Sequence, residues 1–318
     1  MSARAIAALA VVLALVALVW PGFRFVRHHH AENSNAFVSL YMHLMPAHLE
    51  RNATEPAEGG HAAKLVSIEL PAALSVFDMD VEHPGVQLVA TTLQVFQLGA
   101  VILIFVIFGG VVRHLRSGGG DWLTRIFTAF AQWVRDDMVF PTMGKDLGTR
   151  FLPFFLTLFF FVLFMNLLGL VPGGVTATAN VFVTAALASL TLISMLAFGM
   201  IAQGPVAYWK NLVPHVPAAL WPLMFVVELF GVFVKPAALM IRLFANMTAG
   251  HLIVLSFMAF IFYFAGNDFS GAGYAVSLAA VPAAVFIMII ETFVAMLQAF
   301  IFTQLSILFV QASIHPQH

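Results

Sequence analysis

From residue 151 to its C-terminal end the sequence runs for 168 residues with only six charged side chains, Lys210, Glu228, Lys235, Arg242, Asp268 and Glu291. A soluble fold of that length covers its surface with far more charge, since ordinary soluble domains are roughly a quarter charged. Over the whole chain charged residues make up 9% and hydrophobic residues 61%. The apolar sequence falls into runs of about twenty residues, the length at which a helix crosses a bilayer. Backbone in contact with lipid must satisfy its own hydrogen bonds, so the runs are expected to be helices. The alternation of a membrane β-barrel is absent. The expected fold class is an all-α, polytopic integral membrane protein. It has about five membrane helices after an N-terminal signal-like segment. An amphipathic interfacial helix and a long tilted C-terminal helical hairpin complete it.

Several functions are excluded or disfavoured at once. A net charge of -1 without a basic patch argues against nucleic acid as a partner. The chain has no cysteine, so neither a disulfide framework nor a thiolate ligand is available. There is no G-x-x-x-x-G-K-[ST] phosphate loop, and no direct binding of ATP is expected. Seven of the twelve histidines precede residue 90, including His28, His29 and His30. Their spacing fits no zinc pattern, so they read as a solvated tail; no metal and no cofactor are expected.

The chain divides by polarity. Residues 1–20, with Arg4 before the apolar run Ala5 to Trp20, read as a signal peptide or an uncleaved anchor. Residues 21–88 form a polar external arm punctuated by prolines and glycines. A first membrane helix is expected over 89–112. The loop 113–150 mixes Trp122, Ile126, Phe127, Phe130 and Val134 with charges in helical rhythm, as an interfacial amphipathic helix does. Its six Arg or Lys against four acids mark the cytoplasmic side, which puts the arm outside. A membrane hairpin over 151–201 and a cytoplasmic loop over 202–220 follow. The segment 221–312 is a long hairpin, and 313–318 a cytoplasmic tail. Its first apolar run, Trp221 to Phe264, would measure about 60 Å as a helix and must tilt, bend or lie partly along the membrane.

Four charges fall inside that last hairpin: Glu228, Lys235, Arg242 and Glu291. Each costs at least about 2.5–3.5 kcal/mol within the bilayer and needs a partner or a water-filled path. Glu228, Lys235 and Arg242 recur every seven residues and share one helix face. Ala238, Ala245 and Ala249 line the same face with small side chains, which lets another helix approach. A static ion pair is the plainer reading of any one such charge; a small-residue stripe beside an arginine fits a surface that another helix moves across. His251 lies nine residues beyond Arg242, on the opposite side of the helix. An antiparallel register puts His251 level with Glu291, and Arg242 level with Gln298 about two turns further in. Arg242 stays charged and acts electrostatically, whereas His251 and Glu291 can carry protons. The order of an outer titratable pair, a central fixed charge and the inner acid Glu228 resembles two half-paths separated by a barrier.

The run from Lys235-Pro236 through Arg242 and Asn246 to Gly250-His251 closely resembles the signature of subunit a of F-type ATP synthases. Leu297-Gln298-Ala-Phe-Ile-Phe302 is similar to that family's last-helix motif, and Asn166-Leu-Leu-Gly169-Leu-Val-Pro172 with Ala177-Thr-Ala-Asn180 to its earlier hairpin. The likeness covers about residues 90 to 312. It implies that Arg242 is the essential charge facing the carboxylates of a rotating c-ring. Asn246, His251 and Glu291 would line the outer access path, Gln298 would support Arg242, and Glu228 would lie on the inner path. The family includes members with the acid and the histidine exchanged between the two helices. Lys235 reads foremost as a side chain snorkelling to the interface, and Asn166 as a helix–helix hydrogen bond. The implied partners are the c-ring, the peripheral-stalk b subunits and the lipid bilayer, in a bacterial inner membrane. The implied role is an ion-carrying, here proton-carrying, stator subunit that is no enzyme on its own. The alternatives are a self-contained secondary transporter, which would call for an internal repeat, and a non-conducting scaffold.

Overall fold

The computed structural model describes residues 67–69, 87–89, 92–117, 121–171, 176–213, 216–217, 219–265 and 271–315. The signal-like segment, most of the polar arm with its histidines, Asp268 and the last residues of the tail lie outside them. Before the first helix, β1 (Ser67–Glu69) and β2 (Gln87–Val89) pair antiparallel, with Ile68 opposite Leu88. All other regular structure among the described residues is helical. In chain order it comprises α1 (Thr92–Ser117), α2 (Trp122–Trp133), a π-helical turn (Val134–Val139), α3 (Phe140–Gly169), a 3-10 turn (Ala177–Ala179), α4 (Val181–Gln203), α5 (Pro205–Asn211), α6 (Trp221–Ala265) and α7 (Gly271–Ile314). Among the described residues four helices are long and apolar enough to cross a membrane, and Phe96–Val112 adds a shorter apolar helix.

Helix α3 sits at the centre. Leu158, Phe159, Phe160, Val162, Leu163, Phe164, Met165 and Asn166 are all buried, so nearly its whole circumference is covered. Helix α1 packs on it through Phe96, Ala100, Leu103, Ile107 and Val111, a stripe at spacings of three and four. Edge-on rings join them, with Phe108 and Phe160 centroids 4.7 Å apart. In lipid, helices are held less by exclusion from water than by such close packing. Helix α2 buries Thr124 and Thr128 and leaves Trp122, Ile126 and Trp133 exposed. That geometry suits a helix with its bulky apolar groups turned into the membrane interface.

The sequence marks a change of polarity at residues 150 and 151, but the helix does not break there. Helix α3 continues from Phe140 to Gly169, and the interruptions come earlier, at the π-helical turn and at Gly144. Gly144 has φ 75° and ψ 170°, a conformation open to glycine and strained for other residues. Polarity changes where the chain enters lipid, whereas a helix bends where backbone conformation requires it.

Helices α6 and α7 contain 45 and 44 residues. At about 1.5 Å per residue each is roughly 65 Å long, twice the hydrocarbon thickness. They pack along each other as an antiparallel pair, and α7 also lies against α3 and α4. The buried stripe of α6 is Val232, Leu239, Leu243 and Met247. That of α7 is rich in small and polar residues, including Ala280, Ala284, Glu291, Ala295, Gln298, Ala299, Thr303 and Ser306. Small side chains bring these helices close together, which fixes the depth of every polar group on them.

Candidate functional site

Arg242 is exposed on α6 and forms no ion pair or hydrogen bond with another described residue. Lys235, Ala238, Ala245, Asn246 and Ala249 are exposed as well, on the side away from the buried stripe. The structure therefore brings the arginine, the alanines and Asn246 to one uncovered face. No hydrogen bond joins Arg242 to Gln298, which is buried on α7.

Polar groups gather at two places along α6, one on either side of Arg242. The first lies near its start. A cavity of about 150 Å³ is lined by Glu228, Lys235, Gln203, Tyr208, Asn211 and Ser313, with apolar side chains completing the wall. This far exceeds the ~10–15 Å³ that admits one water, and the polar lining supplies the partners water needs. Lys235, expected to snorkel, contributes to this wall beside Glu228. The wall is tied together by Gln203 Nε2 donating to the Ser313 carbonyl at 2.7 Å and Asn211 Nδ2 donating to Gln203 Oε1 at 2.9 Å. Ser313 Oγ donates to the Met195 carbonyl at 2.6 Å. Gly199 makes this closeness possible, because a Cβ there would strike Ser313 Oγ and lie 2.6 Å from the Tyr208 ring.

The second place lies about two to three turns beyond Arg242. Glu291 of α7 is 5% exposed, and its carboxylate occupies the space that a side chain at position 250 would fill. Gly250, not His251, is thus its immediate neighbour on α6. Glu291 Oε1 is buried and has no hydrogen-bond partner among the described residues. A carboxylate oxygen left in that state is costly unless it is protonated or meets water. His251 does not bond to Glu291. Its Nε2 is hydrogen-bonded to the hydroxyl of Thr176, at the head of the 3-10 turn. The expected pair is therefore level in depth but turned to different neighbours.

Asn166 makes a hydrogen bond between helices: Nδ2 donates to the Ala295 carbonyl of α7 at 3.3 Å. Thr178 donates to Asn166 Oδ1 at 2.7 Å, which anchors the 3-10 turn to the bundle. Thr176, Gln203, Asn211 and Ser313 went unnoticed in the sequence, and Thr178 stands there only as part of the run from Ala177 to Asn180. The signal available for them was weak: a hydroxyl or amide within otherwise apolar sequence. Between the two polar places, Arg242 interrupts the series with a charge that cannot be neutralised.

The residues that build this arrangement fall within a recognised family. A family model described as ATP synthase A chain matches residues 94–311. Among curated proteins, "ATP synthase subunit a" of Myxococcus xanthus is 44% identical over 58% of this chain and 59% of its own length. "ATP synthase subunit a 2" of Chlorobaculum tepidum is 42% identical over 67% of this chain and 59% of its own length. "ATP synthase subunit a" of an Anaeromyxobacter species is 38% identical over 67% of this chain and 51% of its own length. The chain thus spans about half to three-fifths of the length of these relatives. With well over half of it matched by the family model, this multi-pass membrane chain belongs to the ATP synthase A chain family.

Proposed function

We propose that the chain is the ion-carrying stator subunit of a rotary F-type ATP synthase, giving protons access to the carboxylates of a rotating c-ring through two offset half-channels. The observation that carries this reading is the position of Arg242. It is exposed and unpaired among the described residues, between the Glu228 cavity and the Glu291–His251 region. A permanent charge in a bilayer costs at least about 2.5–3.5 kcal/mol, and here no described residue offsets it. A ring carboxylate arriving at the alanine-lined face would do so. Arg242 would favour its ionised form and force it to release its proton. The same charge repels a proton that would pass directly from one half-channel to the other.

In this reading Glu291, His251 and Asn246 serve the outer half-channel, and Glu228 with its cavity the inner one. Gln298 and Lys235 support them, Ala238, Ala245 and Ala249 admit the rotor helix, and Asn166 holds the scaffold. Flux then requires rotation, because a proton must ride the ring from one half-channel to the other. The chain binds no ATP; nucleotide chemistry belongs to other subunits, reached through peripheral-stalk b subunits. It sits in a bacterial inner membrane with its N-terminal arm outside and its C-terminus cytoplasmic.

The test is Arg242→Ala in membrane vesicles carrying the assembled complex. ATP-driven pumping should vanish while assembly persists, and passive proton leak should rise. Normal pumping would overturn the proposal.

A further inference from the structure

The hydroxyl of Thr176 has a place in the bundle that packing alone does not require. It meets His251 Nε2, and the threonine is 5% exposed. Every element around it contributes to its position. On α3, Gly169 leaves the space it occupies: a Cβ at Gly169 would collide with Thr176 Oγ1, Cβ and Cα. The Thr176 carbonyl accepts from Ala179 N at 3.0 Å, closing the 3-10 turn. That turn is tied to α3 by Thr178 and Asn166, through Asn166 to the Ala295 carbonyl of α7, and to α6 by Thr248 Oγ1 donating to the Ala179 carbonyl at 3.5 Å. The end of α3 and the 3-10 turn that follows it, together with the distant helices α6 and α7, thus hold one hydroxyl against one ring nitrogen.

A hydroxyl suits this contact for a chemical reason. It carries one donor and two acceptor sites and can rotate. It can donate to an unprotonated Nε2 and accept from Nε2–H, so the contact survives a change in the protonation state of His251. A carbonyl could only accept and an ammonium could only donate. An apolar side chain of the same shape could do neither and would leave a half-buried ring nitrogen unpaired.

We propose that Thr176 is a positioning residue for His251, fixing the imidazole in the outer half-channel in both of its protonation states. This inference rests on the stator reading above, and its test separates the two. In the assembled complex, proton pumping per ATP hydrolysed is compared for Thr176→Val, Thr176→Ser, Thr176→Ala and His251→Ala, with subunit content measured in each preparation. Valine has the shape of threonine without the hydroxyl; serine keeps the hydroxyl and loses the methyl group.

Positioning predicts a loss of about tenfold in Thr176→Val and Thr176→Ala, the size expected when a buried group loses its hydrogen bond, and under about twofold in Thr176→Ser. A packing role predicts the reverse order of Val and Ser, and that order, or equal losses in both, overturns the proposal. The double variant Thr176→Val with His251→Ala should pump no worse than His251→Ala alone; a further loss means that Thr176 acts elsewhere and also overturns it. If His251→Ala itself pumps normally, the outer half-channel reading fails and this inference with it. If His251→Ala abolishes pumping while Thr176→Val is unaffected, only the inference falls.

Discussion

At the scale of single residues, the two faces of α6 meet different surroundings. Arg242 stands on the exposed face, whereas His251 meets the 3-10 turn and Glu291 of α7 is buried against Gly250. Their direct neighbours are Thr176 for His251 and Gly250 for Glu291. Exchanging them, His251→Glu with Glu291→His, should retain more ATP-driven pumping than either single change. Equal losses in all three variants would argue that the groups act independently. Asn166 has a structural part. Asn166→Leu removes a donor from the Ala295 carbonyl and an acceptor from Thr178. The Ala295 carbonyl keeps its bond within α7, but the buried Thr178 hydroxyl loses its acceptor at a cost of about 1–3 kcal/mol, so the subunit's thermal unfolding should come several degrees earlier. An unchanged transition in detergent would show that Asn166 carries no load.

At the scale of elements, the decisive contacts are those that let long helices approach closely. Helix α4 reaches α7 at Gly199, where Ser313 and Tyr208 fill the space of the missing side chain. Gly199→Val would force the helices apart and stretch the 2.7 Å bond from Gln203 to the Ser313 carbonyl. Overpacking of this kind costs about 1–3 kcal/mol, and here it also deforms the cavity around Glu228. The expected outcome is less assembled subunit and slower pumping, measured as subunit content and as rate per complex. A rate per complex at the wild-type level would mean that the cavity shape does not limit proton passage. The Thr191–Ser306 contact at 3.2 Å between α4 and α7 shows the same device, two small hydroxyl residues meeting where bulk would separate helices.

At the scale of the whole molecule, the described faces of α6 and α7 turned away from α3 are left open. Around α3 the phenylalanine cluster is complete. The outer faces of α6 and α7 leave Phe233, Val234, Ile241, Ile289 and Phe293 exposed, an extended apolar surface. Because Arg242 lies on that open side, the chain alone should neither hydrolyse ATP nor conduct protons efficiently. Reconstituted into vesicles, it should give a small fraction of the flux of the assembled complex. Comparable flux from the isolated chain would favour a self-contained transporter.

The spans, the order of charges along α6 and the small-residue stripe were legible in the sequence, because each depends on residues close together on one helix. Placing Glu228, Lys235 and Arg242 on a common face needs only the helical period, and a run of forty apolar residues has few ways to fold in a bilayer. The tertiary structure decided which groups touch. That Gly250 rather than His251 lies against Glu291, that Thr176 meets His251, and that α4, α5, α6 and α7 enclose one cavity all involve segments far apart in the chain. Such contacts depend on how each helix is rotated and how closely its small residues let it approach. No local pattern encodes that rotation, because it is the joint outcome of packing every helix against all of its neighbours.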